Sequence, residues 1–307
     1  MKLRPAFAML TVLWVLALAA ILALAAQLTG RDAYDAGRNR VYATRAYWSA
    51  SDCMARARTL IDGALQTTTD LTVQANVWRT LDAWVTGEPL LARSSCSVTM
   101  EAAGTLADIN AVPDTILLAL FAEAGYSGQA QAMLDAFRDW TDSDNVARPL
   151  GAEADWYQAQ GRPSPRNGRL ANIKELLRVR WFETAEPGLA QVLTTEPGRI
   201  SLATAPLEVL AAVPGFSDDA LERVAESRAS GQPIADLATF AASLPPDAEQ
   251  LMAENFDAVS RLVTVDPDAW IVRATGVAGR PAIATTIEYR LVRAGNRAQP
   301  VRRWVDP

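Results

Sequence analysis

The chain has 307 residues, half of them hydrophobic, and a formal net charge of −6 at pH 7. A chain of this size can bury a sizeable core without metal or disulfide staples. Histidine is absent, which excludes Ser-His-Asp and Cys-His catalysis and HExxH zinc sites. Because the balance is acidic and no run of Lys or Arg occurs, we expect no nucleic-acid partner and favour proteins or divalent cations.

The chain begins with a short basic segment followed by a long apolar one. Lys2 and Arg4 precede residues 7–28, in which the only polar side chains are those of Thr11 and Gln27. At about 1.5 Å per residue, a helix of this length spans about 33 Å, enough to cross the hydrocarbon layer. The positive-inside rule keeps the basic end in the cytoplasm. The sequence therefore predicts a single-pass protein of the bacterial inner membrane whose bulk is periplasmic.

Three interpretations of this segment compete: a plain anchor, a signal peptide cut at an A-x-A site such as residues 23–25, and a prepilin-type leader. Helical periodicity resumes after the apolar stretch, which argues against the signal peptide. The residues that step by three or four along one face are Tyr42, Ala46, Ala50, Cys53, Ala57 and Leu60. Gly63 offers a stop, whereas Gly30 and Gly37 each weaken a continuous helix by about 1 kcal/mol.

The leader RPAFAMLTVLWVLAL resembles the start of a K-type minor pseudopilin of the type II secretion system (general secretion pathway protein K family). The resemblance implies cleavage by prepilin peptidase between Ala6 and Phe7 and N-methylation of Phe7, with Ala6 standing where Gly is usual. Thr11 stands where most pilin-like subunits have a Glu that neutralises a neighbour's terminal ammonium. An unpaired charge in a low-dielectric bundle is costly, so a tip subunit, with no neighbour above it, tolerates Thr11.

The chain has two cysteines, Cys53 and Cys96. They are too far apart in sequence for a CxxC redox or zinc pair. Export of the bulk of the chain would favour a disulfide between them. The alternative is two buried thiols that pack as small hydrophobic groups.

An acidic turn lies in the segment DWTDSDNVARPLGAEADWY, where four carboxylates occur close to Gly151: Asp139, Asp142, Asp144 and Glu153. Several oxygen ligands in a flexible loop suit calcium, although the spacing does not match an EF-hand. The alternative is that Asp142 and Asp144 cap a helix and solvate a turn. An acid–base pair of Asp142 and Glu153 is disfavoured because such surface carboxylates are far more often solvated or calcium-bound. Since GxSxG, P-loop and GxGxxG motifs are missing as well, we predict that the chain is not an enzyme.

The same segment is similar to the second block of the K-type family, in which a D-W-x-D-x-D turn precedes G-A-E and an aromatic residue. Members of that family are described as calcium-binding. The resemblance therefore implies calcium as a cofactor near Asp142, Asp144 and Glu153, with Asp139 as a further candidate ligand.

Residues 200–240 read as a helix, a V-P-G-F turn, a second helix and a third helix after a Pro-led turn. Taken alone, this pattern resembles a helix-hairpin-helix unit, whose backbone N–H groups can grip a DNA phosphate. The rival function is thus a membrane-anchored or exported DNA-binding protein. Asp218 and Asp219 follow the turn and would repel phosphate, so a compact way of packing two helices is the favoured interpretation. The K-type family resembles the chain here too, with Ser201 and Ala203 where Asn is usual.

Alternating apolar and polar residues between 255 and 304 predict three antiparallel strands. The expected fold class is α+β: a pilin-like long N-terminal helix packed on a small antiparallel sheet, with a large inserted α-helical subdomain. The expected parts are a leader (1–6), the transmembrane (7–28) and periplasmic (29–64) halves of the stem helix, a pilin-like α/β part (65–108 and 252–307) and the inserted helices (109–251).

The resemblance implies a minor pseudopilin at the tip of the pseudopilus that helps initiate assembly and export of folded periplasmic proteins. The implied partners are the I-type and J-type minor pseudopilins, the major pseudopilin, prepilin peptidase and the inner membrane. A large lateral domain would clash if it were repeated along a tightly wound shaft, which also favours a single copy at the end.

Overall fold

A computed structural model describes residues 5–86, 95–183 and 186–306. Within these ranges the helices are α1 (Pro5–Leu65), α2 (Leu71–Arg79), α3 (Leu81–Thr86), α4 (Asp114–Phe121), α5 (Ala130–Thr141), α6 (Ala154–Ala159), α7 (Glu186–Leu189), α8 (Leu207–Ala211), α9 (Asp218–Ser230), α10 (Leu237–Ala242), α11 (Pro246–Glu254) and α12 (Phe256–Leu262). The strands are β1 (Cys96–Ala102), β2 (Ala107–Asp108), β3 (Leu193–Thr194), β4 (Ile200–Ser201), β5 (Val263–Thr264), β6 (Trp270–Ala278), β7 (Ile283–Ala294) and β8 (Arg297–Asp306).

Helix α1 forms the stem, and it is continuous through Gly30 and Gly37. An 18-residue window within it reaches a mean hydropathy of 2.6 and has no buried residue, so this helix is long and apolar enough to cross a membrane. Gly30 and Gly37 follow the apolar run, and the cost of about 1 kcal/mol for each helical glycine does not interrupt the helix there. The helix ends at Leu65, two residues after the predicted stop at Gly63.

The C-terminal half of the stem packs on a four-stranded antiparallel sheet of order β1-β6-β7-β8. The buried stem residues that contribute to this core are Ala50, Cys53, Met54, Ala57 and Ile61. Facing them are the buried strand residues Val272, Ala274, Ile287 and Leu291. The small side chains of the stem let the helix lie close to the sheet. The predicted pilin-like α+β fold is confirmed.

A second and larger core is formed by the helices between β2 and β5. Two short parallel strand pairs, β2 with β3 and β4 with β5, hold its ends together. The predicted limit at 251/252 falls inside α11, and the helical part continues through α12 to Leu262. Phe256, Val259 and Leu262 recur at helical spacing, and fully buried Val259 belongs to the helical core. The strand-like alternation therefore begins later than the sequence predicted.

The pilin-like part and the helical part are joined by polar contacts as well as by the chain. Among the described residues, the ion pairs across the junction are Arg199–Asp268, and Glu196 with Arg290 and Arg302. Arg79 of α2 adds hydrogen bonds to the helical part, from Nη1 to the carbonyl of Ile234 at 3.2 Å and from Nη2 to the carbonyl of Ala235 at 3.4 Å. The side chains of Arg290 and Glu196 are only 12% and 22% exposed, so water and salt screen this pair less than they screen an exposed one.

Candidate metal centre

Three carboxylates meet between the end of α5 and the start of α6. Asp139 lies in the last turn of α5, Asp142 is the residue that follows its end, and Glu153 immediately precedes α6. One carboxylate oxygen from each lies within 4.8 Å of the others. Asp139 is fully buried and Glu153 is only 5% exposed. Bulk water therefore does not solvate these two carboxylates.

Arg148 supplies a cation to the cluster. Its Nη1 donates to Asp139 at 2.7 Å and to Asp142 at 2.5 Å, and its backbone N–H donates to Asp139 at 3.1 Å. One guanidinium thus faces three carboxylates, which leaves an excess of negative charge when all three are ionised.

Glu153 is the carboxylate that this arrangement does not satisfy. Both of its oxygens, and Oδ1 of Asp142, are buried without a hydrogen-bond partner. The pKa of Glu153 is raised to about 7, first by burial and then by the negative charges of Asp139, Asp142 and Asp144, against the opposing charge of Arg148. A buried polar group without a partner costs about 1–3 kcal/mol, and more when it is charged. The geometry therefore leaves oxygen atoms that a bound cation would satisfy.

The loop between Asp142 and Glu153 is held against α5. A Cβ on Gly151 would lie 1.9 Å from Oδ2 of Asp139, so only glycine fits there. Asp135 accepts the backbone N–H of Leu150 at 3.2 Å, and Arg180 donates to the carbonyl of Gly151 at 2.8 Å. These contacts fix the path of the loop and the position of Glu153.

Arg180 is itself held between two indole rings. Its guanidinium carbon lies 4.8 Å from the ring centre of Trp156 and 4.7 Å from that of Trp181. The indole of Trp181 donates to the carbonyl of Leu150 at 3.0 Å. This stack fixes the loop through the carbonyls of Leu150 and Gly151.

Asp144 is the predicted ligand that the structure does not bring into the cluster. Its side chain is exposed and accepts a hydrogen bond from the backbone N–H of Val146 at 2.9 Å. Asp144 therefore stabilises a turn, which was the alternative to calcium binding in the sequence analysis. Sequence reasoning also missed Arg148, Asp135 and Arg180. The one available signal was Arg148 itself, a lone cation within an acidic segment.

The donor set fits a hard cation. Three carboxylates without His or Cys suit calcium or magnesium and not a transition metal. Calcium takes six to eight oxygens, so backbone carbonyls or water would have to complete the coordination. Arg148 occupies one side of Asp139 and Asp142, while the unpartnered oxygens of Glu153 and Asp142 remain for the ion.

Residues 100–188, which contain the whole cluster, match the family model described as type II secretion system (T2SS), protein K. The resemblance of this segment to K-type minor pseudopilins, which the sequence indicated, is therefore confirmed.

The structure of this chain is similar to a chain in the crystal structure of the GspK-GspI-GspJ complex from the enterotoxigenic Escherichia coli Type 2 Secretion System. The TM-score is 0.62 with 17% sequence identity, and the alignment covers 88% of this chain and 99% of that chain. At this identity the likeness establishes a shared fold. No curated protein matches the chain.

The other predicted sites lie on the stem and on β1. The Ala6–Phe7 bond falls near the start of α1, and Thr11 is exposed about one turn further along. Cys53 of α1 and Cys96 of β1 are joined as a disulfide with Cα atoms 6.5 Å apart, and both residues are buried. This bond links the stem to β1, an edge strand of the sheet.

The helix-hairpin-helix segment is packed into the helical core. Gly215 is buried in the turn at φ +103°, and a Cβ there would lie 3.0 Å from Asn255 and 3.1 Å from Val259. Ser217 caps α9 through the N–H of Ala220. This packing favours the structural interpretation of the unit.

Proposed function

We propose that this chain is a minor pseudopilin, the tip subunit of the type II secretion pseudopilus, and that it helps to initiate assembly of the pseudopilus and export of folded periplasmic proteins. The observation that carries the proposal is the helical part of residues 107–263, held to the stem-and-sheet part by the ion pairs of Arg199 and Glu196. A filament is built by packing stems side by side. A bulky part fixed to each stem would collide with its copies along the shaft, whereas one copy at the end meets no such copy.

The partners in this proposal are the I-type and J-type minor pseudopilins, the major pseudopilin and prepilin peptidase. Likeness to a chain from a GspK-GspI-GspJ complex supports the first two. Processing between Ala6 and Phe7 would release the mature N-terminus, and the apolar half of α1 would hold the subunit in the inner membrane with its bulk in the periplasm. None of these steps requires catalysis by this chain.

The experiment that tests the tip position is labelling of assembled pseudopili. A gold-tagged antibody against an epitope inserted at the exposed turn Gly295, between β7 and β8, would mark the subunit in electron micrographs. The expected result is one label at one end of each filament. Labels spaced along the shaft, or a uniform filament formed by this chain alone, would contradict the proposal. Mass spectrometry of the same material should give a chain that begins at methylated Phe7.

We also propose that the cluster of Asp139, Asp142 and Glu153 binds calcium. Support comes from the unpartnered oxygens of Glu153 and from the excess of carboxylates over guanidinium groups. Ambient calcium outside the cytoplasm is high enough to fill weak sites. A bound ion would neutralise the loop and stabilise the helical part, which is a structural contribution to the subunit's shape.

A further inference from the structure

A second polar site lies at the junction of the two parts, away from the carboxylate cluster. It is a cavity of about 260 Å³ between the end of α2 and the turn that follows α9. This volume is below the roughly 300–1,000 Å³ of sites for drug-sized ligands, so the cavity suits a group the size of one residue. Its wall includes Arg79, Leu202, Arg228, Pro233, Ile234 and Val265.

The two guanidinium groups of this wall differ in how they are neutralised. Arg79 pairs with Asp266, at 2.7 Å from Nε and 2.6 Å from Nη2. Arg228 donates from Nε and Nη2 to a neutral acceptor, the carbonyl of Leu202, at 3.1 and 2.7 Å. Among the residues that the structure describes, none forms an ion pair with Arg228. Three of its five N–H donors are left for another acceptor.

The chain has six more acidic than basic residues, yet none of the described carboxylates pairs with Arg228. A partly buried cation without a counter-charge is unfavourable, since burial removes hydration and no carboxylate replaces it. The pKa of Arg228 is lowered by burial alone, with no acidic group offsetting it. The side chain is nevertheless fixed in the wall of a cavity by two hydrogen bonds to one carbonyl, so it is positioned for an anion from outside.

We propose that this cavity binds a carboxylate of a partner polypeptide, at a chain end or on an acidic side chain, with Arg228 as the counter-charge. A planar guanidinium with free N–H groups matches a carboxylate and can bind it through two hydrogen bonds. The apolar walls formed by Leu202, Ile234 and Val265 would bury the carbon atoms next to the carboxylate. This proposal does not depend on the position of the subunit in the filament.

The experiment is saturation-transfer NMR on the full chain in lipid nanodiscs. The probes are acetyl-Ala-Leu with a free carboxylate, the same dipeptide as its amide, acetyl-Ala-Glu-amide, and isovalerate. We expect signal from at least one of the two carboxylate peptides. We expect about tenfold less signal from the leucine amide than from acetyl-Ala-Leu, because the amide loses the hydrogen bond between a carboxylate and the guanidinium. Signal from isovalerate alone would overturn the assignment to a polypeptide. Equal signals from acetyl-Ala-Leu and its amide would overturn the role of the carboxylate.

Two variants assign the signal to this cavity. Arg228→Gln should abolish it, while Arg223→Gln should keep it, because Arg223 lies on the exposed side of the same helix and pairs with Glu226. Ala203→Phe, at the exposed rim, should block entry and leave Arg228 in place. If Arg228→Gln fails to fold, Ala203→Phe decides the question. An undiminished signal in folded Ala203→Phe would overturn the proposal.

Discussion

Gly276 of β6 lies directly against the backbone of Ala46 in the stem: a Cβ on Gly276 would stand 2.0 Å from the carbonyl oxygen of Ala46 and 2.6 Å from the amide nitrogen of Ala50. Both alanines are fully buried. The stem therefore contacts the sheet backbone to backbone at this point. Close contact of this kind sets how deeply α1 can sit on the sheet.

Gly276→Ala should lower the free energy of unfolding by about 1–3 kcal/mol, because the added methyl group forces the helix away from a packed surface. Urea unfolding of the full chain in detergent, followed by near-ultraviolet circular dichroism, measures this change. Gly63→Ala is the matched control, since nothing lies within 4 Å of its added Cβ. The control should be neutral or more stable by up to about 1 kcal/mol. Equal effects of the two substitutions would contradict the close contact.

The disulfide between Cys53 and Cys96 closes a loop with a sequence separation of 43 residues. Replacing both cysteines with Ala should cost about 2–4 kcal/mol, because the cross-link restricts the unfolded chain. The measurement is urea unfolding of the double variant beside the parent chain, with and without reductant. Reductant should destabilise the parent and leave the double variant unchanged. Alkylation of both thiols in the native protein from the periplasm would show that the bond does not form there.

Calcium should stabilise the chain through Glu153. At a calcium concentration about 100-fold above Kd, the parent chain should gain about 2.7 kcal/mol in free energy of unfolding. Glu153→Gln should lose this gain, because it removes the negative charge of a carboxylate whose two oxygens have no other partner. Thermal unfolding with calcium and with a chelator measures both.

Asp155→Asn is the control for Glu153→Gln, because Asp155 is an exposed carboxylate that lies two residues after Glu153. It should respond to calcium as the parent chain does. Asp144→Asn should also retain most of the response, because Asp144 lies outside the three-carboxylate cluster. A response lost in Asp144→Asn and kept in Glu153→Gln would place the site elsewhere in the loop.

The metal-free chain should become less stable as pH rises from about 4.5 to about 7. The pKa of Glu153 is raised from 4.5 to about 7 by burial and by Asp139, Asp142 and Asp144, against the opposing charge of Arg148. The folded state thus holds this proton more tightly than the unfolded state does, so its stabilising effect is complete below pH 4.5 and is lost as pH approaches 7. Chemical unfolding in chelator across this pH range should show a smaller slope for Glu153→Gln. Equal slopes would mean that Glu153 is ionised throughout.

Local patterns in the sequence determined the stem and the strands. The apolar run of residues 7–28 and the alternation after Val263 are properties of neighbouring residues, because membrane crossing and strand pairing act on continuous segments. The acidic turn was visible for the same reason. Its residues crowd into a short stretch, and three of the four predicted carboxylates do come together.

Only the tertiary structure decided what each charge faces. The surroundings of each arginine depend on which side chains other elements bring to the same place. Arg148 pairs with Asp139, Arg180 lies between two indole rings, and Arg228 donates to a backbone carbonyl and not to a carboxylate. The end of the helical part was decided in the same way, since Val259 joins α12 to a core whose other members lie far away in sequence. Burial and charge pairing are sums over such distant neighbours, and no local pattern encodes them.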